Sequence, residues 1–148
     1  MNTWTVWYSH DQDEGDIVTD GPKLDVALDS VAQLARPEWP ALATISILDN
    51  HVGPVLYVGF HGDQGALLYV SVEDGRHYSR GEGSSDGEPL LYMYMSTADE
   101  FPPNSEVSAA LVRQAAHEFA DTGQRPTCVE WQTWEPEIAD SGSEWPAL

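Results

Sequence analysis

Val55-Leu56-Tyr57-Val58-Gly59-Phe60-His61-Gly62-Asp63-Gln64-Gly65-Ala66-Leu67-Leu68-Tyr69-Val70-Ser71-Val72 consists of two apolar, β-branched and aromatic runs joined at His61-Gly62-Asp63-Gln64-Gly65. That pattern predicts a β-hairpin. Two glycines close together supply the positive φ angles of a tight reversal, and Asp63 and Gln64 can bond backbone groups that the turn leaves unpaired. A further strand-like run at residues 90–96 lets three segments pair in sequence as a meander. The remainder of the chain is expected to pack around that sheet.

At 148 residues the chain suits one domain, assigned to residues 1–134, followed by an acidic C-terminal tail at 135–148. A chain of this length hides roughly 70% of its unfolded surface. A 41% hydrophobic content with six Trp, six Tyr and three Phe excludes disorder, although 25 acidic residues against 6 basic ones leave a net charge of −19. Such a field repels nucleic acid and anionic membranes and attracts basic partners. The first residues have no basic flank with an apolar run behind it, and no stretch approaches the length of a membrane span, so a cytoplasmic location is expected. The lone cysteine, Cys128, cannot form an internal disulfide and reads as a small strand side chain.

Taken in order, residues 3–9 form a first strand, and an acidic loop with Asp11, Asp13, Glu14 and Asp16 follows. A calcium loop starting at Asp11 would need glycine at its sixth position and glutamate at its twelfth. Those positions hold Asp16 and Pro22, so the loop reads as solvated acid. Asp20-Gly21-Pro22 opens a helix with Leu24, Ala27, Leu28, Val31, Leu34 and Ala35 on one face. Pro37 and Pro40 end it around Trp39, before a short strand at 43–48. Asp74-Gly75 marks another turn, His77 to Arg80 a short edge strand, and the loop after it carries Glu82, Asp86 and Glu88 with no lysine, which disfavours anion binding. Pro102-Pro103-Asn104-Ser105 supplies the lead-in and cap of a second helix with a Val107, Leu111, Ala115, Phe119 stripe, ended by Gly123. Residues 127–134 supply the last strand.

The expected fold is therefore α+β: a single, largely antiparallel sheet of six or seven strands, with two helices on one face. In residues 90–96, Leu91, Met93 and Met95 alternate with Leu90, Tyr92 and Tyr94, and the former set is assigned to the helix side. Alternation along the other strands likewise puts Tyr57 opposite Leu56, Val58 and Phe60, and Tyr69 opposite Leu68 and Val70. The expectation is an open outer face bearing Tyr57, Tyr69, Tyr92 and Tyr94, unless the tail with Trp134 and Trp145 folds over it.

Signals for catalysis are sparse. The five histidines form no zinc pattern, and there is no nucleophile elbow or phosphate-binding loop. His61 and Asp63 in one turn could act as an acid–base pair or as two metal ligands, although turn geometry explains the segment without function. No cofactor and no metal are expected.

Phe101-Pro-Pro-Asn-Ser-Glu-Val107, the alanine-rich helix after it, and the segment from Glu118 to Trp131 resemble the first-numbered immunity-protein family of bacterial polymorphic toxin systems. The match is carried by Thr122, Gly123, Arg125 and Pro126, by the strand tryptophan Trp131, and by the central Gly59-Phe-His-Gly-Asp-Gln-Gly-Ala-Leu67. The resemblance implies an α+β antitoxin that binds and blocks the C-terminal domain of a cognate toxin, in this family often a nucleic-acid deaminase, and it implies no catalytic residues. Acidity agrees independently, because a nucleic-acid-handling toxin needs a basic cleft that an acidic protein can occlude. Two other readings stay open: a small hydrolase or metal-dependent enzyme using His61 and Asp63, and an acidic adaptor or nucleic-acid mimic that binds a basic host protein. For a partner, the expected interface is the four tyrosines as anchor, with Asp11, Asp13, Glu14, Asp16, Glu82, Asp86 and Glu88 as rim, joined by His61 and Asp63 at the hairpin tip. Trp131 is read as packing beneath it.

Overall fold

The computed structural model describes residues 3–9, 12, 15–47, 53–84, 86–95 and 97–134. Within them the order is β1 (Trp4–Trp7), β2 (Asp16–Val18), α1 (Gly21–Leu34), β3 (Ala41–Ile47), β4 (Val55–His61), β5 (Gln64–Ser71), β6 (Gly75–Arg80), β7 (Leu90–Tyr94), β8 (Thr97–Phe101), β9 (Val107–Ser108), α2 (Ala109–Thr122) and β10 (Glu130–Gln132). The fold is α+β, with two helices and a large antiparallel sheet. Ten strands are present among the described residues, more than the six or seven expected. Pieces as short as β2, β9 and β10 are too brief for hydrophobic periodicity to reveal.

The main path of the sheet runs β10-β6-β5-β4-β3-β1-β2. The central hairpin forms as read, with Val55 opposite Val70 and His61 opposite Gln64 around a two-residue turn. Of its glycines only Gly62 takes a positive φ, 67°, as in a turn with glycine at the first central position. The third strand of the meander is β6, which lies between β5 and β10 and so is not an edge.

Asp20 caps α1 by accepting from the Lys23 amide, and Leu24, Ala27, Leu28 and Val31 are its buried residues. The second helix starts later than its lead-in suggested. Val107–Ser108 pairs with Gln64 and Gly65 of β5 instead of coiling, so Ser108, not Asn104 or Ser105, is the cap and accepts from the Leu111 amide. Gly123 ends α2 at φ 71°, its amide donating to the Phe119 carbonyl. Both helices cover one sheet face: Val112, Ala115, Ala116 and Phe119 join Leu24, Leu28 and Val31 over Val6, Ile45, Leu56, Val58 and Leu67. At the centre Trp4 is fully buried, 4.8 Å from the Phe119 ring, with its indole N–H satisfied by the Ala120 carbonyl at 2.9 Å. Across the helix pair, His117 Nε2 lies 2.8 Å from an Asp25 carboxylate oxygen, and Arg113 bridges Asp25 and Asp29.

The opposite face is not open. The β7–β8 hairpin leaves the main path, pairing with β3 at Ala41 and Met93, and folds over the sheet. Tyr92 and Phe101 thereby pack with Leu42, Ala66, Leu68 and Tyr78 in a second cluster, which Trp134 joins at its edge. Gly59 is the seat for this hairpin, since a Cβ there would lie 2.6 Å from the Tyr92 ring. The expected faces of β7 are accordingly reversed. Tyr92 points in, whereas Leu91 is 49% exposed and Met93 and Met95 are half-buried.

Candidate partner-binding surface

The four tyrosines do not share an exposed face. Register decides this: Tyr57 lies opposite Leu68 and Leu56 opposite Tyr69, so Tyr69 belongs to the helix side, where it is 4% exposed and its ring meets Phe119 at 6.1 Å and Trp131 at 6.4 Å. Tyr92 is completely buried. Neither can be a surface anchor. Tyr57 and Tyr94 are half-buried, set edge-on with ring centroids 6.2 Å apart. Burial, then the nearby Asp99 carboxylate, raises the Tyr57 pKa above the ordinary phenol value.

Of the acidic rim, Asp11, Asp13 and Glu14 lie outside the described residues. Asp16 is tied inward, accepting from the Tyr8 hydroxyl at 2.7 Å and from Gln12 Nε2 at 3.1 Å. Asp63, Glu82, Asp86 and Glu88 are exposed. Two of them converge. The segment crossing the end of the sheet is held by the Gly81 amide donating to Asn104 O (2.7 Å), the Ala109 amide donating to Asp63 O (2.8 Å) and Ser79 Oγ donating to Ser105 O (2.7 Å). These bonds bring Asp63, Glu82, Glu106 and Glu130 to one groove of about 660 Å3, with Arg80 the one basic residue in its lining and Val107, Leu111, Cys128 and Val129 among its apolar walls. Four carboxylates around one guanidinium leave the groove electronegative. Burial, and then its contact with Glu118, pushes the Cys128 thiol pKa up, which disfavours the thiolate.

Beside that groove His61 takes partners other than Asp63, the residue with which it could have formed a pair. Its Nδ1 lies 2.8 Å from a Glu106 carboxylate oxygen and its Nε2 lies 3.1 Å from the Pro37 carbonyl. Asp63 is therefore not its partner. Both ring nitrogens face acceptors, an arrangement that only the imidazolium satisfies by donating twice. The Glu106 bond raises the His61 pKa, outweighing the opposing effect of burial. The same Glu106 oxygen accepts from the Tyr92 hydroxyl at 2.6 Å, and burial, then this carboxylate, pushes the phenol far above its ordinary range. Through these contacts the segment before β9 is pinned to the covering hairpin and the hairpin tip, and the tip to the loop after α1. Sequence reading missed Glu106, because nothing local distinguishes it from the other surface acids. Among the described residues no group of three or more His, Cys, Asp or Glu is placed to hold a metal ion, and no helix is long and apolar enough to cross a membrane.

The tryptophan motif is structural. The Trp131 indole N–H donates to Pro126 O at 2.8 Å, and Glu118 receives both the amide and the hydroxyl of Thr127 at 2.8 Å, which fastens the turn after α2 to the helix. Trp131 packs partly buried against the helix-side core, beside Val129. No curated protein matches the sequence. The family described as Immunity protein Imm1 matches residues 13–133, which takes in the hairpin, both helices, Glu106 and Trp131. With most of its length inside that match, the chain belongs to the Imm1 immunity-protein family.

Proposed function

We propose that the chain is the antitoxin of a bacterial polymorphic toxin system, which binds the C-terminal domain of its cognate toxin in the cytoplasm and blocks a basic, nucleic-acid-handling cleft, that of a deaminase in the first instance. The observation that carries the reading is family membership across residues 13–133. Charge supports the mode of action: a net −19 over 148 residues steers the protein toward a basic surface, and the groove between Asp63, Glu82, Glu106 and Glu130 offers carboxylates where a toxin would otherwise bind phosphates. The role is inhibition by occlusion and needs no chemistry from the antitoxin. His61 engaged on both nitrogens is a positioning residue in this reading, not an acid or base.

The test is co-expression with the toxin domain encoded by the adjacent reading frame. Growth should be restored, a complex should co-purify, and deamination of a nucleic-acid substrate by the isolated toxin should stop on addition of the protein. Cell death undiminished by co-expression would refute the immunity reading. Rescue of a toxin with no activity on nucleic acid would refute only the substrate class.

A further inference from the structure

Trp39 is 57% exposed, although it is held on a rigid loop. Its amide donates to Arg36 O at 2.8 Å and its carbonyl accepts from the Arg36 amide at 3.1 Å. Pro37 and Pro40 restrict the backbone on either side, and the Pro37 carbonyl is bonded to His61. An indole displayed this way loses little freedom on binding, which is what a contact residue needs. Leu34, 46% exposed at the end of α1, lies with Trp39, Ala41, Met93 and Met95 around a groove of about 350 Å3, to which Tyr8 and Ser9 add polar atoms. Met95 holds a positive φ of 56° to turn the covering hairpin there, a conformation uncommon for any residue but glycine.

Charge identifies the occupant. The Trp39 loop carries exposed Glu38, and through Pro37 O, His61 and Glu106 it adjoins the acidic groove. The neighbouring Arg36 is turned back, donating to the Gln33 and Ala35 carbonyls at 2.8 Å. A second copy would bring another −19, and the segment 135–148 contains Glu135, Glu137, Asp140 and Glu144 with no basic residue. Both would meet like charge. We infer that the Trp39 groove is the apolar anchor for a basic protein domain, one presenting an apolar side chain flanked by Lys or Arg. On the antitoxin reading, on which this rests, that domain is the cognate toxin. An aromatic in an apolar groove beside a charged rim is the arrangement in which binding energy concentrates.

The experiment measures affinity for the toxin domain of the adjacent reading frame with wild type, Trp39→Ala and Trp39→Phe, each checked for an unchanged urea midpoint. The alanine variant should bind at least about 30-fold more weakly and the phenylalanine variant should recover part of the loss. If wild type binds and Trp39→Ala binds equally well, the anchor assignment falls while the antitoxin reading stands. If wild type neither binds nor protects, the antitoxin reading falls and takes this partner with it. A dimer in sedimentation that Trp39→Ala dissociates would assign the groove to a second copy instead. Tighter toxin binding after removal of 135–148, with Trp39→Ala silent, would assign it to the chain's own C-terminal segment. Either result overturns the proposal.

Discussion

Replacing Tyr92 with alanine should strongly destabilise the protein, and the size of the loss separates two accounts of the sheet's second face. The ring is fully buried, 5.0 Å from that of Phe101, and fills the space that Gly59 leaves free. Removing a buried aromatic costs about 3–5 kcal/mol, because the cavity collapses only in part. The hydroxyl bond to Glu106 (2.6 Å) adds about 1 kcal/mol, less than the usual worth of a bond to a charged group. Glu106 keeps His61 and is 17% exposed, so it is not stranded. A total of about 4–6 kcal/mol is a large share of a typical domain's 5–15. With a urea slope of about 2 kcal/mol/M the midpoint should drop by about 2–3 M. Tyr92→Phe should isolate the hydroxyl at about 1 kcal/mol. Urea titration followed by far-UV circular dichroism measures both. A surface tyrosine would shift stability by no more than about 0.5 kcal/mol, so a loss below about 1 kcal/mol for Tyr92→Ala would refute the covering role of the β7–β8 hairpin.

The His61 contact sets a pH dependence. Because its folded pKa is raised above the reference value of 6.5, its contribution is fully present below that value and is lost as pH climbs through the folded pKa. The stability gap between wild type and His61→Gln should therefore shrink from about pH 5.5 to 8.5 in paired urea titrations, and a gap that widens would contradict the doubly donating imidazolium. Association with the toxin domain should slow markedly between about 50 and 500 mM salt, as the Debye length falls from roughly 14 to 4 Å, with dissociation changing less. Stopped-flow rates that stay flat would remove steering from the account. Reversing Glu82 and Glu130 to lysine should slow association at low salt and have little effect at high salt, whereas equal rates for the double variant at low salt would show that this groove does not face the partner.

How far the sequence reaches can be judged from particular elements. The central hairpin, the Asp20-capped helix and the Gly123 stop were legible because caps, turn residues and hydrophobic period act within a few neighbours. The α+β class followed from them, while the family likeness rested separately on a resemblance carried by Thr122, Gly123, Arg125, Pro126 and Trp131. The tyrosine surface was misjudged because alternation relates residues only within one strand. Which face each strand presents depends on pairing, and the Tyr57–Leu68 register sends Tyr69 to the helices. Tertiary structure alone turned β7 and β8 over the sheet, burying Tyr92 and leaving Leu91 exposed and Met93 and Met95 half-buried. It also brought Glu106 between the hairpin tip and β6, where it unites His61, Tyr92 and the acidic groove. Trp39 left a faint local trace, an aromatic between two prolines, but its exposure is settled by what fails to pack on it. Contacts between residues 14 to 45 positions apart, such as Tyr92 and His61 with Glu106, are chosen by the whole chain's packing and not by any local segment.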